Sequence, residues 1–185
     1  MIEITDHFLD LGSFMMMKDI LLGVETEYKY RLSWSLNKVL SDQIYSGNEN
    51  NENKHLDNNM QFCHALFKNN REENYTSDQI SFIKPLIEKI VNKNNARCFR
   101  RIKANLNIRT STIIKHGFHI DFDDNEHMTT AIYYVNSNDG YTEFEDGTKV
   151  ESVENRLLTF PSSMKHCGTT CTNAFGRCVI NMNYF

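Results

Sequence analysis

The hydrophobic pattern of the chain changes period near residue 98. Before it, apolar positions fall into a few separate blocks. Ser13 is placed to cap a short helix that runs to Leu22, with Gly23 as its stop signal. Tyr28, Tyr30, Leu32 and Trp34 alternate with Lys29, Arg31 and Ser33, which is the period of a strand. The polar, Asn-rich stretch 41–59 reads as a loop, and Met60–Phe67 as another strand. Ile80, Ile83, Leu86, Ile87 and Ile90 recur at helical spacing after Thr76-Ser77-Asp78. Pro85 kinks that helix unless it starts later. From residue 98 onward, short β-type runs follow one another at 98–106, 111–122, 129–136, 141–145, 148–153, 156–160 and 177–185, separated by Asn, Asp, Gly and Ser. Such spacing predicts a β-sandwich or barrel. The expectation is one mainly β domain over 1–185: a helical or mixed part, 1–97, buttresses a β core, 98–185.

Length supports this, since 185 residues suit one compact unit. A net charge of −4 argues against general nucleic-acid binding through phosphate neutralisation. The apolar runs are far shorter than the roughly 18 residues a membrane helix needs, so no membrane partner is expected. The acidic start, Met1-Ile2-Glu3-Ile4-Thr5-Asp6, is unlike an export signal. Five cysteines without a CxxC suggest reduced thiols, and the expected location is cytoplasmic. Asparagine occurs 22 times, against two prolines. Its clusters at 48–59, 69–74 and 92–95 suit loops, because Asn tolerates left-handed backbone.

The candidate chemistry centres on His-x-Asp. Random order would give roughly 0.4 such tripeptides in this composition; His55-Leu56-Asp57 and His119-Ile120-Asp121 both occur. The first lies in the polar loop and reads as solvated surface. In the second, strand geometry puts His119 and Asp121 on one face, with Ile120 opposite. Joined by a distant His166, they make the two-imidazole, one-carboxylate set that leaves positions open on a non-haem Fe(II). Arg177 heads an otherwise apolar terminal run, where it needs a partner, and its fork suits a ligand carboxylate. His116 and His127 read as surface or turn histidines. The run Asp121–Asn125 fails as a calcium loop, with Glu126 where Gly is needed and Ile132 where Glu is. Cys167, Cys171 and Cys178 lack the paired spacing of structural zinc.

These residues, with their neighbours, resemble a known family. The series His119-Ile120-Asp121, Thr130–Tyr134-Val135-Asn136, Gly140-Tyr141-Thr142-Glu143-Phe144, Phe160-Pro161-Ser162, His166-Cys167-Gly168 and Arg177 is similar, in order and spacing, to the prolyl-4-hydroxylase-like branch of the Fe(II)- and 2-oxoglutarate-dependent oxygenases. Residues 1–97 add nothing to the likeness. The resemblance implies a distorted double-stranded β-helix, a jelly roll backed by helices. It implies that His119, Asp121 and His166 hold Fe(II) and that Arg177 pairs with the distal carboxylate of 2-oxoglutarate, with Tyr134 reaching the same carboxylate. On strand parity, Thr130, Ile132 and Tyr134 would line the pocket, joined by Thr142 and Phe144 from the next strand. The family commonly has a Tyr ten to twelve residues before the first metal His. This chain has Asn107-Ile108-Arg109-Thr110 there, so Asn105, Asn107 or a water takes over that hydrogen bond. The implied activity uses O2 to convert 2-oxoglutarate to succinate and CO2 while a substrate is hydroxylated; peptidyl proline is the branch's guess, with small molecules as other possibilities. Two other readings stay open: a non-catalytic jelly-roll binding module, and a cupin-type metalloenzyme that does not use 2-oxoglutarate.

Overall fold

The computed structural model describes residues 1–23, 32–37, 60–69, 74–122 and 127–185. In chain order these form β1 (Glu3–Thr5), α1 (Leu11–Leu22), β2 (Ser35–Asn37), β3 (Gln61–Asn69), β4 (Asn74–Thr76), a 3-10 turn (Ile80–Ile83), α2 (Lys84–Asn94), β5 (Phe99–Ile108), β6 (Thr129–Tyr134), β7 (Tyr141–Phe144), β8 (Lys149–Glu151), β9 (Arg156–Pro161), β10 (His166–Gly168) and β11 (Gly176–Tyr184). The expected loop 41–59, including His55 and Asp57, lies outside the described residues, as does most of the expected strand 28–34. Strand β2 begins just after that stretch, at Ser35.

Local chemistry sets the helix ends. The cap of α1 is Asp10, whose side chain accepts from the Ser13 backbone N–H at 3.0 Å, so Ser13 sits inside the helix it was expected to cap. Gly23 ends it in left-handed backbone at φ 62°, the conformation glycine adopts without a steric cost. Helix α2 starts after the 3-10 turn, which puts Pro85 in its first turn, where a missing N–H leaves no bond unmade. No kink is needed. Asn95 closes α2 in left-handed backbone at φ 54°.

The large sheet is antiparallel, in the order β1-β9-β6-β11-β5-β3-β2, with β4 paired to β3; a second sheet runs β10-β7-β8. Side-chain alternation then divides the interior. On β6 and β11, Ala131, Tyr133, Ile180 and Met182 face a core shared with Phe14, Met17, Leu21, Leu86 and Ile90 of the helices. Ile132, Tyr134 and Val179 face the other way, toward Phe144, Val150, Leu158 and Phe160. A jelly-roll β core with helices against its large sheet is the result.

One expected strand is absent. Residues 111–122 pair only at two isolated bridges, His119↔His166 on β10 and Lys115↔Thr169 just past its end. Strand β10 has three residues and gives its other edge to β7, so it cannot template a long ladder.

Candidate active site

The His119↔His166 bridge is what assembles the site. Each residue donates its N–H to the other's carbonyl at 3.0 Å, and the two imidazoles stand 4.6 Å apart between centroids. His119 Nδ1 lies 3.1 Å from Gly117 O, and His166 Nδ1 3.0 Å from Met164 O. A carbonyl can only accept, so each Nδ1 carries the proton and each Nε2 keeps its lone pair for a metal. Two residues on, Asp121 N–H donates to Ser162 O at 3.2 Å and its carboxylate turns to the same place. Ligand atoms of His119, Asp121 and His166 all lie within 4.8 Å of one another. The three residues fit Fe(II): two neutral imidazoles, one carboxylate and open positions. Among the described residues no other group of His, Cys, Asp or Glu comes together this way, and all five cysteines are free thiols.

The large sheet grips Asp121 from behind. Arg101 Nη2 donates to Asp121 Oδ1 at 2.6 Å. Asn183 Nδ2, at 3.0 Å, and Asn181 Nδ2, at 3.2 Å, donate to Oδ2, where the Thr130 hydroxyl also donates at 3.0 Å. Burial would raise this carboxyl, but the Arg101 guanidinium and the Asn183 amide hold it well below the usual carboxylate range. Burial keeps the His166 imidazole below its ordinary value, and hence neutral, against the pull of Asp121.

A cavity of about 90 Å³ runs from the triad to Arg177. Arg177 is 3% exposed; its Nε donates to Ser152 Oγ at 2.8 Å and its Nη2 to Thr142 Oγ1 at 2.9 Å. Burial lowers its pKa, opposed by the Tyr134 phenol beside it. No carboxylate pairs with it among the described residues, and the guanidinium faces the cavity. Of the expected pocket residues, Ile132, Thr142 and Asn107 line the wall. Asn107 is already engaged, accepting from Gln61 Nε2 at 2.9 Å and donating to Thr169 O at 3.2 Å. Tyr134 stands one layer back: its ring lies 5.4 Å from the Arg177 guanidinium carbon and its hydroxyl donates to Thr142 Oγ1 at 2.8 Å. Thr130 is found at Asp121, away from the Arg177 end. Phe144 packs edge-on against Phe160, at 4.9 Å.

His116 corrects an expectation. It is not a surface residue: its N–H donates to Gly168 O at 3.0 Å, it lines the cavity, and its Nε2 has no partner among the described residues. Burial, helped by Arg177 and His119, holds it down to about 4. His127 is exposed, as expected. Sequence reasoning also missed Arg101, Lys103, Asn181 and Asn183, and it named Asn105 only as a stand-in for the upstream tyrosine. Their signal was present, since Arg101-x-Lys103-x-Asn105-x-Asn107 alternates with Ile102, Ala104, Leu106 and Ile108, and Arg177, Asn181 and Asn183 share one parity.

No protein-family model matches the chain, and no curated protein does. Solved structures do match in fold. A prolyl hydroxylase from Trichoplax adhaerens, in complex with a hypoxia inducible factor oxygen degradation domain peptide fragment, superposes with a TM-score of 0.60 at 13% identity, over 100% of this chain and 83% of its own. A 2OG-Fe(II) oxygenase family oxidoreductase from Burkholderia pseudomallei gives 0.64 at 9% identity, covering 99% and 85%. The non-heme alpha ketoglutarate dependent epimerase of nogalamycin biosynthesis gives 0.60 at 10% identity, covering 100% and 77%. The chain has the fold of the 2-oxoglutarate- and Fe(II)-dependent oxygenases.

Proposed function

We propose that this protein is an Fe(II)- and 2-oxoglutarate-dependent oxygenase that hydroxylates a substrate, with peptidyl proline as the leading candidate. The observation that carries the reading is the placement, across one cavity, of an open His-Asp-His triad and a buried Arg177 that no carboxylate of the described residues neutralises. His119 and His166 would present Nε2, and Asp121 its carboxylate, to the iron. The bound iron and 2-oxoglutarate supply O2 activation, with succinate and CO2 as the cosubstrate's products. The chain's own residues bind and orient. Arg177 takes the distal carboxylate in a fork aimed by Ser152 and Thr142, and Tyr134 fixes Thr142 in turn. Ile132 and Val179 add apolar surface to the pocket wall. A protein or peptide substrate is supported by the peptide bound to the Trichoplax hydroxylase.

The test is 2-oxoglutarate turnover, followed as succinate released by protein supplied with Fe(II) and O2. Wild type is expected to form succinate above background, and His119→Ala, Asp121→Ala and His166→Ala to form none. Metal bound without any succinate would favour a non-catalytic module. Arg177→Ala should lower 2-oxoglutarate affinity by at least a hundredfold, since breaking a buried charge pair costs about 3–5 kcal/mol. Oxygen-dependent turnover that ignores both 2-oxoglutarate and Arg177→Ala would point to the cupin-type alternative.

A further inference from the structure

The cavity carries more positive charge than the reaction proposed above uses. Among the described residues three cations line it: Arg101, Lys103 and Arg177. Arg101 is matched by Asp121 at 2.6 Å. Arg177 is matched, on that reading, by the distal carboxylate of 2-oxoglutarate. Lys103 is left over. It projects from β5 two residues beyond Arg101, on the same face, and is half-buried. No carboxylate of the described residues forms an ion pair with it, and the Cys63 thiol stands near it. Burial pulls its ammonium below the ordinary lysine value, the mark of a cation short of counter-charge.

Its surroundings on the wall are also unsatisfied. Asn105 and Asn181 flank Lys103 in the sheet: Asn181 is its register partner on β11, and Asn105 follows it on β5. Both are at least nine-tenths buried, and Oδ1 of each has no hydrogen-bond partner among the described residues. A buried carbonyl oxygen without a donor is unfavourable, so these positions suit a ligand bearing N–H or O–H groups. Asn181 meanwhile holds Asp121 through its Nδ2, so whatever occupies this wall lies beside the metal ligands.

We propose that Lys103 is the anchor for an anionic group on the primary substrate, a carboxylate or a phosphate, with N–H or O–H donors next to it for Asn105 and Asn181. The inference rests on the oxygenase reading and narrows its substrate to an acidic one. Among peptides, it selects those with an acidic residue at or beside the target.

The experiment uses the full chain loaded with Mn(II) and saturating 2-oxoglutarate, so that the triad and Arg177 are occupied. Inorganic phosphate, N-acetylglutamate and the neutral N-acetylglutamine amide are titrated in turn. Paramagnetic broadening of each probe's NMR signals by Mn(II) reports binding beside the metal. Saturable broadening is expected for at least one anionic probe, and which one it is separates phosphate from carboxylate. The neutral amide should show none. Lys103→Gln should weaken the anion about tenfold or more while Mn(II) and 2-oxoglutarate still bind; Lys103→Arg, which keeps the charge, should retain it. The proposal is overturned if neither anion saturates in wild type, or if Lys103→Gln leaves the broadening unchanged. Loss of 2-oxoglutarate affinity in Lys103→Gln would also overturn it, by making Lys103 a cosubstrate residue. If wild type binds neither Mn(II) nor 2-oxoglutarate, the oxygenase reading fails and takes this one with it.

Discussion

At the scale of residues, the site depends on how firmly Asp121 is held. One carboxylate receives an arginine, two asparagine amides and a threonine hydroxyl, all from the large sheet. Groups that orient a metal ligand typically change metal affinity about 10- to 100-fold when removed. Arg101→Met keeps the stem's packing and removes the ion pair, so Mn(II) affinity measured by calorimetry should fall within that range. An unchanged affinity would mean that the asparagines suffice. His116 gives a pH prediction for the metal-free protein. In the unfolded chain it takes a proton near 6.5, and in the folded chain only near 4. Its contribution is therefore complete above about pH 6.5 and is lost as the pH falls through that window. Between pH 7 and about pH 5, wild type should lose about 2 kcal/mol more stability in denaturant titrations than His116→Gln. Equal losses would show that His116 is protonated without penalty. The triad and Arg177 were legible in the sequence because each stands out against its neighbours. The Asp121 clamp was not, because Asn181 and Asn183 gain meaning only once β11 is laid against β5 and β6.

Among elements, the turn from β6 into β7 governs the Arg177 end of the cavity. A Cβ on Gly140 would stand 2.6 Å from the Thr170 carbonyl oxygen and 2.8 Å from Arg177 Cδ. The backbone oxygen cannot yield, so Gly140→Ala should displace Arg177, and overpacking of this kind costs about 1–3 kcal/mol. Affinity for 2-oxoglutarate should drop about tenfold or more. Gly168→Ala, whose Cβ would sit 3.4 Å from Arg177 Nη1, should be milder. Equal effects in calorimetric titration would remove Gly140 from this role. Element by element, strands with two long neighbours, β5, β6 and β11, matched their sequence patterns closely. The stretch 111–122 read as a strand because its apolar spacing is right, yet pairing is a property of the partner, and three-residue β10 has little edge to give. Proline in the first turn of α2 shows the converse, where the breaker marks a start and the apolar period had run on into a 3-10 turn.

For the whole molecule, the division of labour follows from sheet parity. One face of the large sheet is apolar against α1 and α2. The other turns from apolar around Tyr134 and Val179 to polar along Arg101, Lys103, Asn105, Asn181 and Asn183. The jelly roll was legible from the β-rich texture and the motif order; the polar wall of the cavity came only with the register between strands. The central claim is that metal and cosubstrate share this cavity, held by His119, Asp121, His166 and Arg177. Its most direct measurement is a calorimetric titration without O2, first with Mn(II) and then with 2-oxoglutarate. One Mn(II) per chain should bind, followed by one 2-oxoglutarate whose affinity depends on the metal; His119→Ala, Asp121→Ala and His166→Ala should lose the first event, and Arg177→Ala only the second. Mn(II) binding unchanged in all three triad variants, or 2-oxoglutarate binding equally well without metal, would contradict the account.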